Sequence, residues 1–177
     1  SGGMNLFVKP SGGAGNDELL LDEVPTLFPM SVSLDGRVLL YVTGAGGSPT
    51  GNDLRVLPLT GGGKSSVFLQ SSFNESFSQF SPDGRWVAYH SNESGRSEIY
   101  VAPFPGPGGK WQISTAGGFY PRWRRDGQEL FYRESSVPGA VAASQMAVEV
   151  NGKGSAFEIG PAKKLFEGSA GSFNFWP

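Results

Sequence analysis

The chain has 177 residues, of which 38% are hydrophobic and 12% aromatic, so it can bury the core of one globular domain. Its formal net charge of -2 comes from dispersed acids and bases, which argues against a nucleic-acid or anionic-membrane surface. The absence of cysteine excludes disulfides and thiolate zinc sites, and no apolar run approaches the roughly 20 residues of a membrane helix.

Glycines and prolines, 27 and 13 in number, interrupt short apolar runs along the whole chain. This pattern is typical of short strands joined by tight turns, and no long stretch shows the 3.6-residue apolar period of a helix. We therefore predict an all-β fold. Residues 1–3, Ser-Gly-Gly, look like a cloning remnant outside that fold.

A strand–turn–strand segment recurs three times, as SVSLDGRVLLYV, SQFSPDGRWVAYH and PRWRRDGQELFYR. An Asp-Gly pair makes each turn, because glycine accepts a positive φ and aspartate bonds its own backbone. The pairs are Asp35 and Gly36, Asp83 and Gly84, and Asp126 and Gly127. A second segment type alternates with the first, and its matching valines are Val8, Val56, Val101 and Val148.

Four short strands in a repeat of about 45 residues are the content of one propeller blade, with strands A to D running outward from the channel. We predict a half blade of C and D strands over 4–23, complete blades 1 to 3 over 24–70, 71–115 and 116–168, and the start of another A strand over 169–177. The result is a partial β-propeller of about three and a half four-stranded antiparallel blades, open or completed by association.

Two finer features of the blades follow from the repeat. Each inner strand A is expected to point one large residue into the packing between blades, and these residues are Val32, Phe80 and Trp123. Strand B of blade 2 is predicted over Trp86–Ser91. In blade 3, residues 151–161 are expected to form a long connection between strands C and D.

From Phe80 to Tyr132 the sequence resembles the TolB-like (WD-repeat-like) propeller repeat, whose marks here are SPDG at residues 81–84, Ser94 before Gly95, and IYV at residues 99–101. The likeness covers the rest of the chain more weakly and departs at Leu34 and at residues 124–125. The repeat is similar to the propeller region following the kinase domain in some bacterial serine/threonine protein kinases. Similar repeats also precede the catalytic domain of prolyl-oligopeptidase-like enzymes. The resemblance implies binding or substrate gating rather than catalysis.

The stretch TGGGKSS at residues 60–66 looks like the end of a phosphate-binding loop. The full pattern fails, because Pro58 stands where a glycine is required and a strand-like run follows where a helix is needed. Glycine-rich loops also recur at this point of the other repeats. We therefore interpret the stretch as a hairpin between strands C and D, and we expect no nucleotide and no other cofactor.

No catalytic or metal-binding constellation is evident. The chain lacks a Gly-x-Ser-x-Gly elbow, and its only imidazole, His90, corresponds to Val42 and Arg133 in the other blades. One histidine without cysteine makes a transition-metal site improbable. The aspartates of the Asp-Gly pairs are interpreted as turn formers rather than as the two carboxylates of a glycosidase. We therefore predict no catalytic residue and no metal site.

Strand A of blade 3 departs from its counterparts, because Arg122 and Arg124 stand where the other blades carry serine or glutamine. Two guanidiniums on an otherwise small and polar channel wall suit a carboxylate or phosphate, so an anionic ligand or a peptide end is one hypothesis. The alternative is that they pair with acids of a neighbouring blade. The candidate channel-facing, ligand-binding residues are Arg122, Arg124, His90 and Gln79.

The sequence therefore favours a non-catalytic binding or interaction module, a sensor or scaffold, from a larger bacterial protein. The alternatives are an accessory propeller of a prolyl-oligopeptidase-like hydrolase, a glycan-active propeller enzyme, or a fragment without independent activity. Expected partners are a protein or peptide, the remaining blades of a parent chain, or a second copy that completes the propeller. The family resemblance suggests a periplasmic or other extracytoplasmic location.

Overall fold

The computed structural model describes residues 4–13, 15–24, 27–44, 50–106, 108–135, 142–152 and 156–169. These residues form 14 β-strands and no helix, so the prediction of an all-β fold is confirmed. Within them there is accordingly no helix with the length and hydropathy to span a membrane. The predicted start of a further A strand lies outside the described residues except for Ser169, which ends the last strand.

The strands form one two-stranded and three four-stranded antiparallel sheets in the described part of the chain. The half blade contains β1 (Met4–Val8) and β2 (Glu18–Val24). Blade 1 contains β3 (Leu27–Val32), β4 (Val38–Thr43), β5 (Asp53–Pro58) and β6 (Ser66–Leu69). Blade 2 contains β7 (Glu75–Phe80), β8 (Trp86–Ser91), β9 (Glu98–Pro103) and β10 (Trp111–Gln112). Blade 3 contains β11 (Phe119–Trp123), β12 (Glu129–Glu134), β13 (Ala142–Asn151) and β14 (Glu158–Ser169).

The Asp-Gly pairs close the turn between the first two strands of each blade. In blade 2, Asp83 Oδ1 accepts hydrogen bonds from Ser81 Oγ at 2.6 Å and from the backbone N–H of Arg85 at 3.1 Å. Gly84 has a φ of 70°, a left-handed conformation that glycine adopts without steric cost. The aspartates of the other two turns accept from the corresponding backbone N–H groups, and their glycines have nearly the same φ.

Apolar side chains of adjacent sheets meet in three clusters. The cluster between the half blade and blade 1 includes Leu6, Leu21, Leu39 and Tyr41. The cluster between blades 1 and 2 includes Leu40, Val42, Leu54, Phe80, Val87 and Tyr89. The cluster between blades 2 and 3 includes Trp86, Val101, Trp123, Leu130, Val148 and Phe157. Burial of these side chains between sheets, rather than within any one sheet, is therefore what holds the blades together.

One predicted core residue is exposed. Phe80 and Trp123 are buried as predicted, but Val32 keeps 49% of its surface accessible. The reason lies in the preceding blade. Phe80 packs against side chains of blade 1 such as Leu40, whereas the sheet before Val32 consists, among the described residues, of β1 and β2, and no inner strand there covers it.

The last two strands of blade 3 differ from the prediction in two ways. Residues 151–161 are not a long connection, because β14 already begins at Glu158, which pairs with Asn151. The register of β13 is also shifted by one residue from the predicted equivalence of Val101 and Val148. Ala88 pairs with Val101 in blade 2, whereas its structural counterpart Phe131 pairs with Ala147 in blade 3.

A one-residue shift moves a strand's side chains to the opposite face of the sheet. Val148 therefore faces the cluster between blades 2 and 3. The side of blade 3 that points away from blade 2, which we call the far face, is lined by a different set of residues. Its paired residues on β12 and β13 are Glu129 and Glu149, Phe131 and Ala147, and Arg133 and Gln145. The far face is thus largely polar, whereas the matching side of blade 2 carries Trp86, Ala88, Ile99 and Val101.

Candidate functional site

The candidate site lies along the inner strands of the blades. Strand β7 contacts β3 on one side and β11 on the other. Each of the three strands contains a register irregularity near its middle, which re-aims the side chains around it. The residue four places before the turn aspartate follows the irregularity in every blade. It is Ser31 in blade 1, Gln79 in blade 2 and Arg122 in blade 3.

In blades 1 and 2 this residue accepts a hydrogen bond from the next blade. Ser31 Oγ accepts from the backbone N–H of Phe80 at 3.3 Å. Gln79 Oε1 accepts from the backbone N–H of Trp123 at 2.9 Å, and the indole Nε1 of Trp123 donates to the Gln79 carbonyl at 3.3 Å. The structure therefore places Gln79 in a link between inner strands, where its side-chain oxygen already has a partner.

Arg122 breaks this pattern, because a guanidinium donates hydrogen bonds and accepts none. The residue as a whole is exposed although its guanidinium end is partly buried, and its Nη1 donates to the neighbouring carbonyl of Pro121 at 2.9 Å. Partial burial of the guanidinium lowers the pKa of Arg122, although an arginine stays cationic at neutral pH. Among the described residues no carboxylate pairs with it. Its charge is thus available to a ligand or a further protein surface.

Arg124 is engaged within its own turn. Its Nε donates to both carboxylate oxygens of Asp126, at 2.8 and 3.0 Å, and its Nη1 donates to Glu129 at 2.8 Å. The hydrogen bond to Asp126 is the main reason why the pKa of Arg124 is raised. An anionic ligand would have to compete with two carboxylates for this side chain, so the two arginines offered by the sequence are not equivalent.

His90 is buried between blades 2 and 3, with 8% of its surface exposed. Its ring lies edge-on to Phe77 and Phe119, at centroid distances of 4.9 and 5.5 Å. Burial lowers the pKa of His90 to about 4, so the imidazole is neutral at physiological pH. Its Nδ1 has no hydrogen-bond partner among the described residues, so no serine hydroxyl there is bonded to that nitrogen. The arrangement offers no activated nucleophile of the serine–histidine type.

Two aromatic residues at the site are not among the ligand-binding residues predicted from the sequence. Phe77 and Tyr120 both lie six residues before the turn aspartate, and both have a left-handed backbone, with φ of 46° and 56°. Their rings meet edge-on at 4.4 Å, and the guanidinium of Arg133 lies 5.9 Å from the centre of the Tyr120 ring. Non-glycine residues rarely adopt this conformation, so it marks the inner strands as strained at equivalent points. The repeat gave no sign of this conformation, because Pro29 occupies the same place in blade 1 and proline cannot adopt a positive φ.

A groove of about 620 Å³ lies at the far face of blade 3, away from these residues. Its charged lining consists of Arg124, Glu129, Glu149 and Glu158. The acids already have partners, since Glu129 accepts from Arg124, Glu149 from Lys163 and Glu158 from Asn151. The groove therefore shares only Arg124 with the predicted site and offers no unpaired charge of its own.

At the level of sequence, neither a protein-family model nor a curated protein matches the chain. Solved structures do match it. The chain is similar to a TolB of Agrobacterium tumefaciens, with a TM-score of 0.75 and 18% identity over 93% of this chain and 58% of that one. The fold is that of a TolB-like β-propeller. A TolB of Acinetobacter baumannii supports the same conclusion, with a TM-score of 0.65 and 17% identity over 84% of this chain and 35% of that one.

Peptidase propellers are also similar to this TolB-like propeller. A puromycin-hydrolysing peptidase of Mycobacterium tuberculosis gives a TM-score of 0.60 and 14% identity over 88% of this chain and 26% of that one. The chain spans 58% or less of each of these three proteins. Identities at this level establish the fold alone, and the predicted likeness to propellers that follow kinase domains stays a prediction.

Proposed function

We propose that this TolB-like propeller is a non-catalytic binding module that takes a carboxylate of a protein or peptide partner at Arg122. The observation that supports this function is the contrast along the inner strands. Ser31 and Gln79 use the same place in the fold to accept a backbone hydrogen bond from the next blade, whereas Arg122 presents a cation with no acidic partner among the described residues.

The chemistry of the group favours a carboxylate. A guanidinium offers parallel N–H donors that match the two oxygens of a carboxylate, and such charge-assisted pairs are stronger than neutral hydrogen bonds. Partial desolvation of Arg122 strengthens the attraction for an anion relative to a fully solvated side chain. The aromatic rings of Phe77 and Tyr120 on the same inner strands add apolar surface for neighbouring side chains of a peptide.

The test uses an NMR titration of the ¹⁵N-labelled protein with a short peptide that has a free C-terminal carboxylate, and with the same peptide amidated. The free acid is expected to shift the Nε–Hε resonance of Arg122, and the amide is not. Replacement of Arg122 by Gln, the residue that blade 2 carries at this place, should abolish binding. Replacement of Arg124 by Gln is the matched control and should preserve it. Equal shifts from both peptides, or binding that survives in the R122Q variant, would refute the assignment.

The second candidate function is that of an accessory propeller in a prolyl-oligopeptidase-like hydrolase. The similarity to the puromycin-hydrolysing peptidase favours this alternative. In that case the propeller gates access to a catalytic domain rather than binding a separate partner. Sequencing of the complete reading frame tests it, because a hydrolase domain in the same polypeptide is required. A glycan-active enzyme and an inactive fragment have no such observation in their favour.

We also propose that missing strands are supplied by association, either with further blades of a parent chain or with a second copy, and that the protein works outside the cytoplasm. The half blade, in which β1 pairs only with β2 among the described strands, motivates the first proposal. The likeness to TolB motivates the second. Analytical ultracentrifugation tests the first, since a monomer at all concentrations excludes self-completion. Fractionation of the producing bacterium tests the second.

A further inference from the structure

Two buried carboxylates lie where blade 1 meets blade 2. Asp53 is the first residue of β5 and is 6% exposed, and Glu75 is the first residue of β7 and is 1% exposed. The backbone N–H of Glu75 donates to the carbonyl of Asn52 at 2.9 Å, so the two acids stand on adjoining stretches of backbone. Burial, together with the nearby charge of Asp53, raises the pKa of Glu75.

Each carboxylate uses one oxygen and leaves the other without a partner. Asp53 Oδ2 accepts from Thr50 Oγ1 at 2.9 Å and from Gln70 Nε2 at 3.0 Å. Glu75 Oε1 accepts from Ser71 Oγ at 2.7 Å and from Ser91 Oγ at 3.2 Å. The second oxygens, Asp53 Oδ1 and Glu75 Oε2, are buried and accept no hydrogen bond from the described residues.

No cationic side chain balances the two acids, because every polar contact that they make within the described residues is with a hydroxyl or an amide. Buried anions without a counter-charge are costly, and proteins normally pair them with a cation or bind a metal ion there. An unpaired oxygen on each acid adds to that cost.

Blade 2 has a buried acid at the equivalent place, and this acid has a cationic partner. Glu98 begins β9 as Asp53 begins β5, and each pairs with the last residue of the preceding strand. Both oxygens of Glu98 are satisfied, because Arg96 Nε donates to Oε1 at 2.6 Å, Ser114 donates to Oε2, and the backbone N–H of Gly117 donates to both. A buried acid at this place therefore has its own arginine when it lies between blades 2 and 3.

Blade 1 has no space for that arginine. The residue two places before Asp53 is Gly51, which has a φ of 74° and whose added Cβ would lie 2.4 Å from the carbonyl oxygen of Phe73. No side chain fits there. Where blade 2 carries Arg96, blade 1 therefore carries only backbone, and the positive charge has to come from elsewhere.

We propose that Asp53 and Glu75 bind a Ca²⁺ ion between blades 1 and 2, through the carboxylate oxygens Asp53 Oδ1 and Glu75 Oε2. Calcium suits the surroundings, because it accepts carboxylates together with hydroxyl, amide and carbonyl oxygens in flexible geometry. No three acidic, histidine or cysteine side chains converge in the described part of the chain, so neutral oxygens complete the shell. Those nearby belong to Asn52, Ser71 and Ser91.

This proposal departs from the expectation from sequence that the chain binds no metal, and it stands apart from the function proposed for Arg122. The ion joins strand β5 of one blade to strand β7 of the next. It would therefore stabilise the contact between the blades, as the hydrogen bonds from the Gly117 backbone N–H to Glu98 link blade 2 to the start of blade 3.

The test measures Ca²⁺ binding to the chelator-treated protein by isothermal titration calorimetry, with urea unfolding in CaCl₂ and in NaCl of equal ionic strength. We expect one bound ion. At a Ca²⁺ concentration about a hundred times Kd, the unfolding equilibrium constant should fall about a hundredfold. The isosteric variants Asp53→Asn and Glu75→Gln should each lose both effects. Glu149→Gln, which removes an exposed carboxylate paired with Lys163, is the matched control and should retain them.

Circular dichroism establishes whether each variant is folded, and the wild-type titration stands even if one variant is not. The proposal is overturned by the absence of any Ca²⁺ effect on the wild-type protein beyond that of NaCl. It is equally overturned by a Ca²⁺ effect that persists unchanged in both folded variants. The first result would mean that the two carboxylates share a proton or are satisfied by water alone, and the second that Ca²⁺ binds elsewhere on the protein.

Discussion

The buried imidazole of His90 should make the protein less stable in acid. Its pKa is lowered from the 6.5 of a free imidazole to about 4, because protonation would place a charge among the rings of Phe77 and Phe119. The unfolded chain therefore binds a proton that the folded chain rejects. The stability due to neutral His90 is fully present above about pH 6.5 and is lost as the pH falls towards 4. With about 1.36 kcal/mol per pH unit, the loss is about 3 kcal/mol.

The variant His90→Val isolates this effect, because blade 1 carries Val42 at the same place and buries it. The free energy of unfolding is measured by urea denaturation, followed by tryptophan fluorescence, at about pH 7.5 and about pH 4.5. Titration of the carboxylates affects both proteins alike, so the comparison of the two pH dependences reports on the imidazole. Wild type should lose about 2 to 3 kcal/mol more than the variant between these pH values. Equal losses would refute the assignment of a buried neutral histidine.

Three further substitutions, two in packed positions and one in a turn, are each tested by urea denaturation. Phe157→Ala should destabilise the protein by about 3 to 5 kcal/mol, because the ring fills a pocket between tryptophans of blades 2 and 3. A loss below about 1 kcal/mol would contradict that packing. Gly118→Ala should cost about 1 to 3 kcal/mol, since its Cβ would lie 2.4 Å from Ser114 Oγ, whereas Gly109→Ala meets no atom and serves as control. Asp83→Ala removes three hydrogen bonds from a largely exposed turn and should cost about 1 kcal/mol, and an unchanged stability would exclude a role for that turn.

Local chemistry made the blades predictable from the sequence. An Asp-Gly turn between alternating apolar residues defines a hairpin without reference to the rest of the chain, so strand β8 spans the predicted residues Trp86–Ser91. The hairpin of TGGGKSS lies between β5 and β6, with Lys64 exposed, as the repeat indicated. The failures arose where a neighbouring element decides the outcome. The exposure of Val32 depends on the strands of the preceding sheet, which are β1 and β2 in the described part of the chain.

The register of β13 shows a second limit. The valines at matching intervals predicted that Val148 is equivalent to Val101. In the structure, Leu130 pairs with Val148 and both are buried against blade 2, so β13 is shifted by one residue from that alignment. A match of residue types cannot reveal such a shift, because apolar residues occupy both alignments.

The candidate site was predictable only in part. The break in the repeat identified Arg122 and Arg124 together. The structure shows that Asp126 and Glu129 bind Arg124, which the sequence did not indicate. Whether any of the predicted residues binds a ligand stays a prediction. The two buried acids Asp53 and Glu75 could not be predicted from the sequence. They are 22 residues apart and look like ordinary polar strand ends.

Inner strands pack on the blade that precedes them in the sequence, so the contacts between blades all run in the same order along the chain. Trp123 is covered by blade 2, and Gln79 of blade 2 receives the backbone hydrogen bond of that same residue. A ribosome releases the N-terminal blades first, so each finished blade offers both an apolar surface and a hydrogen-bond acceptor to the one that emerges next. Synthesis in this order gives β7 and β11 a formed blade to pack against, whereas refolding of the complete chain has to form all of these contacts together.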